Sequence, residues 1–175
     1  MDYKPQIAKC PPMFRPPPPD KSQFLKLAES EWEVSSFRSV EGGGTGQEFT
    51  SNLKSDGQED WNKWYDAESG ETWIQATFQN AVTIKAFELK SANDCPGRDP
   101  YEISVSVRRP GSENYEQLFN QSSIFFDTRF ETKLFLLNTE SEVSAFRVTI
   151  NRNLAEATKN FDESGTQLAQ LILYK

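Results

Sequence analysis

The chain has 175 residues, a net charge of −7, 36% hydrophobic residues and no histidine, a size that suits one domain able to bury most of its apolar surface. The negative balance argues against nucleic acid, whose phosphates call for lysine and arginine, and against anionic membrane surfaces. Without histidine the commonest general base and metal ligand are missing, and so are the usual Ser/His and Cys/His nucleophile pairs.

The aliphatic content is low, but 13 Phe, 5 Tyr and 4 Trp supply enough area for an aromatic-rich core. No apolar run is long enough to span a bilayer. The start MDYKPQIAKC lacks the apolar stretch of a secretory signal, so cytoplasmic residence is expected. Cys10 and Cys95 are 85 residues apart, a spacing that makes neither a disulfide framework nor a zinc site; both are expected as reduced thiols.

In chain order, residues 1–22 stand apart as a Pro-rich arm. CPPMFRPPPPD (10–20) holds six of the ten prolines, and Pro16, Pro17 and the two that follow favour extended polyproline II. One reading is a disordered tail. The other is a docking arm, with Tyr3, Ile7, Met13 and Phe14 as apolar anchors between stiff spacers. FLKLAESEWEV (24–34) is ambiguous, because Phe24, Leu25, Leu27 and Ala28 can share one helical face. The glycine loop VEGGGTGQEF (40–49) lacks the Gly-Lys-Ser/Thr ending of a phosphate-binding loop.

From there the pattern is beta. Trp73–Phe78 and Val82–Leu89 look like paired strands around the turn QNA, with Trp73 in the core. The apolar phase switches between Ala86 and Phe87, which suggests a bulge. Tyr101, Ile103, Val105 and Val107 alternate as in a strand with one buried face. RRPGSENY is a turn, with Tyr115–Phe119 returning, and its Arg108 and Arg109 are expected in solvent. Phe125–Phe126 and Leu134–Leu137 read as short strands; Phe125, Phe126 and Phe130 could equally form an exposed apolar edge. Phe146, Val148 and Ile150 alternate again, and QLAQLILY (167–174) is apolar on both faces, as a central strand would be. About eight short strands without a beta-alpha repeat predict an all-β antiparallel sandwich.

The decapeptide SANDCPGRDP (91–100) could be a site or a corner. Asp94 and Asp99 invite comparison with the carboxylate pair of glycoside hydrolases, but Asp beside Pro in a tight turn is ordinary turn chemistry. As a corner, Asn93 and Asp94 would bond their own downstream amides, and Gly97 would permit positive φ. Arg98 and Asp99 would pair with different loop neighbours, and Pro100 would open a strand. Trp61 and Tyr65 are candidate ligand-platform aromatics, while Trp64 fits the core better.

Three stretches together, SNLKSDGQEDWNKWYD (51–66), ETWIQATFQNAVTIKAFELKSANDCPGRDP (71–100) and AFRVTINRN…GTQLAQLILY (145–174), resemble the discoidin, or coagulation factor V/VIII type C, domain of the galactose-binding-like superfamily. The resemblance covers about Trp32 to Tyr174. It implies an eight-stranded jelly-roll sandwich that binds sugars, lipid headgroups or proteins through loops at one end, and members that are almost never catalytic. Three departures matter. Many sugar-binding members hold calcium near the Asp-Gly loop with a closing-strand Glu; here Asp56 and Asp60 are available but the closing position is Gln170, so calcium is a weak candidate and no cofactor is expected. Galactose-binding members use a His, an Arg and an aromatic platform, and this chain has no His. Most glycans are extracellular, and no signal peptide is evident.

The sequence therefore predicts residues 23–175 as a discoidin-like sandwich behind an extended arm. The leading expectation is a non-catalytic interaction module, a structural subunit docking into a cytoplasmic assembly of other proteins, with the axoneme of a cilium or another cytoskeletal lattice as one setting. The alternative is a lectin-like carbohydrate-binding module using Trp61, Tyr65, Asn93, Asp94 and Arg98.

Overall fold

The computed structural model describes residues 20–38, 48–54, 62–160 and 163–175. The arm anchors Tyr3, Ile7, Met13 and Phe14, with Pro16 and Pro17, lie outside these residues, as do Asp56, Asp60 and Trp61.

Among the described residues ten strands follow in chain order: β1 (Trp32–Ser36), β2 (Trp64–Asp66), β3 (Thr72–Val82), β4 (Ala86–Lys90), β5 (Pro100–Arg108), β6 (Tyr115–Gln121), β7 (Thr132–Leu136), β8 (Val143–Asn153), β9 (Thr166–Leu168) and β10 (Gln170–Tyr174). A single helical turn, α1 (Leu154–Thr158), interrupts the series. A five-stranded sheet in the order β1-β3-β8-β5-β6 faces a three-stranded sheet in the order β10-β4-β7, and the short pair β2-β9 closes one end. Every pairing between these strands is antiparallel. The expected all-β sandwich is present; β1 and β2 are strands that the patterning did not give, the 167–174 run divides into β9 and β10, and no strand forms at Phe125–Phe126.

The core is aromatic, as the composition implied. Phe87 on β4 stacks on Phe135 of β7, with ring centroids 4.8 Å apart, and packs against Phe146 of β8 at 5.2 Å, joining the two sheets. Trp64 and Trp32 are buried in the same cluster. Burying each such ring contributes about 2–3 kcal/mol.

Several sequence expectations are corrected. Residues 73–78 and 82–89 do not form a hairpin: β3 continues through QNA, with its register against β8 shifting between Thr77 and Val82, and pairs with β1 and β8, while β4 belongs to the other sheet. The phase switch after Ala86 therefore marks the crossing from one sheet to the other, with Thr83–Lys85 between strands, and not a bulge in one strand. Trp73 is not core. It lies on the outer face of β3, half-buried under the Arg147 guanidinium at 4.2 Å, because Thr72, Ile74 and Ala76 take the inward phase. Leu25 is exposed while Leu27 is buried, so no helical face forms over 24–28; a 3-10 turn at Glu29–Glu31 leads directly into β1. QLAQLILY splits at Ala169 into β9 and β10, and the central strand of the smaller sheet is β4. Phe125 and Phe126 form no strand; Phe126 is buried and Phe125 stays exposed, edge-on to Tyr101 at 5.4 Å. Tyr115–Phe119 does return on β5, and Pro100 does open it.

Gly165, at the start of β9, has φ +84°, and a Cβ there would meet the Asp66 carbonyl oxygen at 2.4 Å. Both the backbone and the space demand glycine. Gly165→Ala is expected to cost about 2 kcal/mol, read as a lower urea midpoint at unchanged slope.

Candidate functional site

One end of the sandwich gathers the corner 91–99, the β2-β9 pair, the loop before β7 and the segment after α1. The corner is a 3-10 turn, with the amides of Arg98 and Asp99 donating to the carbonyls of Cys95 and Pro96. Its left-handed residue is Cys95, φ 38°, and not Gly97 as the sequence suggested. Glycine is needed at 97 for space instead: the Glu163 carboxylate accepts the Gly97 amide at 2.5 Å, where a Cβ would collide with it. Cys95 carries a free thiol whose pKa burial pushes up.

Beneath the corner stands Lys63, whose side chain is 3% exposed. Its Nζ reaches Asp94 Oδ1 at 2.6 Å, Gln167 Oε1 at 3.1 Å and Glu48 Oε1 at 3.3 Å. Gln167 then turns its amide on the corner backbone, donating to the Asp94 carbonyl at 2.6 Å and the Cys95 carbonyl at 3.2 Å. Asn52 holds the Lys63 carbonyl at 2.9 Å. A buried charge requires pairing of this kind.

A second ion pair closes the corner from the other side. Nη1 and Nη2 of the Arg129 guanidinium each donate to one Asp99 oxygen, and Nη1 also donates to the Asp94 carbonyl at 3.1 Å. Burial pushes Asp99 up to about 6, even though the Arg129 bond and charge pull it down. Asn153 caps α1 by accepting the Glu156 amide, and its own Nδ2 donates to the Gly165 carbonyl at 2.8 Å, fixing the loop that carries Glu163.

Placed on this frame, the candidate residues separate. Tyr65 is buried, its hydroxyl donating to the Ser164 carbonyl at 3.3 Å, and the Arg98 guanidinium covers its ring at 4.6 Å. Asp94 is spent on Lys63, and neither Asn93 nor Asp94 bonds a downstream amide in the described contacts, because the turn's own carbonyls take the Arg98 and Asp99 amides. Asn93 Oδ1 and Arg98 Nε are buried with no hydrogen-bond partner. As expected, Arg98 and Asp99 engage different neighbours. Lys63, Gln167, Arg129 and Glu163 were not singled out from sequence. Gln167 left a trace, a polar residue heading an apolar run; Arg129 left none, since its partner is 30 positions away.

Calcium needs six to eight oxygens. Gln170, the one described candidate, is buried in β10 opposite Lys90 and offers a neutral amide. Among the described residues no group of three or more His, Cys, Asp or Glu could hold a metal ion. The oxygens of Glu48, Asp94 and Gln167 that do converge here converge on an ammonium, so the described residues do not fit calcium.

No family model and no curated protein matches the chain. Solved structures do. The module CpGH89CBM32-5 from Clostridium perfringens, in complex with GalNAc-beta-1,3-galactose, is similar over 86% of this chain and 100% of its own, with TM-score 0.68 and 10% identity. An F5/8 type C domain from Bacteroides fragilis covers 88% of this chain and 97% of its own, with TM-score 0.67 and 17% identity. The family 32 carbohydrate-binding module of C. perfringens NanJ, in complex with galactose, covers 87% and 99%, with TM-score 0.66 and 9% identity. The fold is that of these discoidin-like, F5/8 type C domains.

Proposed function

We propose that this chain is a non-catalytic carbohydrate-binding module whose ligand meets the corner 91–99. The observation that carries this reading is the pair of unspent polar groups there, an acceptor at Asn93 Oδ1 and a donor at Arg98 Nε. Buried polar atoms are rarely left unpaired without a reason, and an amide oxygen and a guanidinium N–H on one corner are groups that sugar hydroxyls satisfy once the corner opens to admit a ligand. Solved neighbours of the same fold that hold galactose and a GalNAc-galactose disaccharide support this over docking into a cytoskeletal assembly through the arm at residues 1–22 and the loop end. The ion pairs of Asp94 with Lys63 and of Asp99 with Arg129 count against these two corner carboxylates as the acid–base pair of a glycoside hydrolase.

The test is calorimetric titration with galactose, N-acetylgalactosamine and a panel of glycans. Arg98→Ala and Asn93→Ala are each expected to weaken the binding observed by roughly tenfold, the loss of about one charged or buried hydrogen bond. A wild-type protein that binds no glycan on the panel, or corner variants that bind as tightly as wild type, would remove this reading.

A further inference from the structure

We propose that Lys63 is a built-in cation which organises this end of the sandwich and makes it independent of calcium. The inference stands whether or not a glycan binds.

An ammonium has three N–H donors and no acceptor. Among the described residues Lys63 has three oxygen partners, each from a different segment: Glu48 ahead of the 3-10 turn at Thr50–Lys54, Asp94 on the corner and Gln167 on β9. That set saturates an ammonium and falls well short of the six to eight oxygens of calcium. The charge is suited too, because Glu48, 5% exposed, meets a fixed cation where a lone carboxylate would be stranded, while Asp94, 40% exposed, keeps part of its hydration. A second layer carries the effect outward, since Gln167 receives Lys63 at its oxygen and gives its amide protons to the carbonyls of Asp94 and Cys95. Lys63 is thus a positioning residue: it touches the corner at one side chain directly and at two carbonyls through Gln167. Its backbone is held in turn, by Asn52 on one side and by the start of β2 on the other.

The wild type is expected to melt at the same temperature in chelator and in millimolar calcium. Lys63→Met, which keeps the stem and deletes the charge, is expected to melt roughly 10 °C lower, as a buried network stripped of one partner does in a chain of this length. Lys63→Ala is expected to recover part of its loss with propylammonium chloride, which supplies the missing head group, and not with sodium chloride at equal ionic strength. A wild-type protein stabilised by calcium would overturn the proposal. So would a Lys63→Met protein that melts like wild type, or a Lys63→Ala protein to which both salts do the same. If Lys63→Ala fails to fold, the calcium response of the wild type and the melting of Lys63→Met decide alone.

Discussion

Arg129→Met should lower the melting temperature by roughly 10 °C, corresponding to a loss of about 3 kcal/mol or more. Asp99 is almost fully buried, and Arg129 is its one strong cationic partner in the described contacts. At pH 8, removing the guanidinium either leaves a carboxylate in a dry corner or makes it take up a proton, and it frees the Ala92 and Asp94 carbonyls that Nη1 also serves. The double variant Arg129→Met/Asp99→Leu should recover most of the loss, because the main penalty of breaking such a pair is the stranded charge and not the missing attraction. A loss of only a degree or two in the single variant, the behaviour of a solvated surface pair, would show that water reaches Asp99 and that the corner does not depend on this bridge.

The same geometry explains why the fold was more legible than the site. A strand announces itself through neighbours two residues apart, so Ile103, Val105 and Val107 gave β5, and Phe146, Val148 and Ile150 gave the middle of β8, without further information. Pattern failed where strands changed sheets. At Val82–Phe87 the chain leaves the five-stranded sheet for the other one, and the new phase looked like a bulge because periodicity records which face is buried, not which sheet owns it. Trp73 was misplaced for a related reason: a large aromatic invites a core assignment, yet its face is satisfied by Arg147 on the outside of the sheet. The site is harder still. Lys63 joins Asp94 and Gln167 across 31 and 104 positions, separations over which local pattern carries nothing, and a lysine beside tryptophan looks like a solvated charge until the fold buries it. The decapeptide 91–100 was legible as a corner, but the reason it is stiff lies in Lys63, Gln167, Arg129 and Glu163, all of them elsewhere in the chain.

Acid should favour the folded state through Asp99, against the usual behaviour of a salt-bridged carboxylate. Burial holds its pKa up at about 6 against an ordinary 3.8, with the neighbouring charges of Glu163 and Asp94 adding to the rise and Arg129 opposing it. Between those two values the folded chain binds a proton at Asp99 that the unfolded chain has released. Stability from this group is therefore fully present below the unfolded value and is lost as pH rises through about 6. The gap corresponds to about 3 kcal/mol. Other carboxylates titrate over the same range, so the quantity to measure is the difference in melting temperature between wild type and Asp99→Asn, in which their contributions cancel. On going from pH 7 to pH 4 that difference should move in favour of wild type by roughly 5–10 °C. Movement in the opposite direction would mean that the guanidinium outweighs burial and holds the carboxylate ionised in the folded state. The corner would then be stabilised by an ion pair down to acid pH, and Arg129 would be worth correspondingly more than the single-variant melting experiment alone reveals.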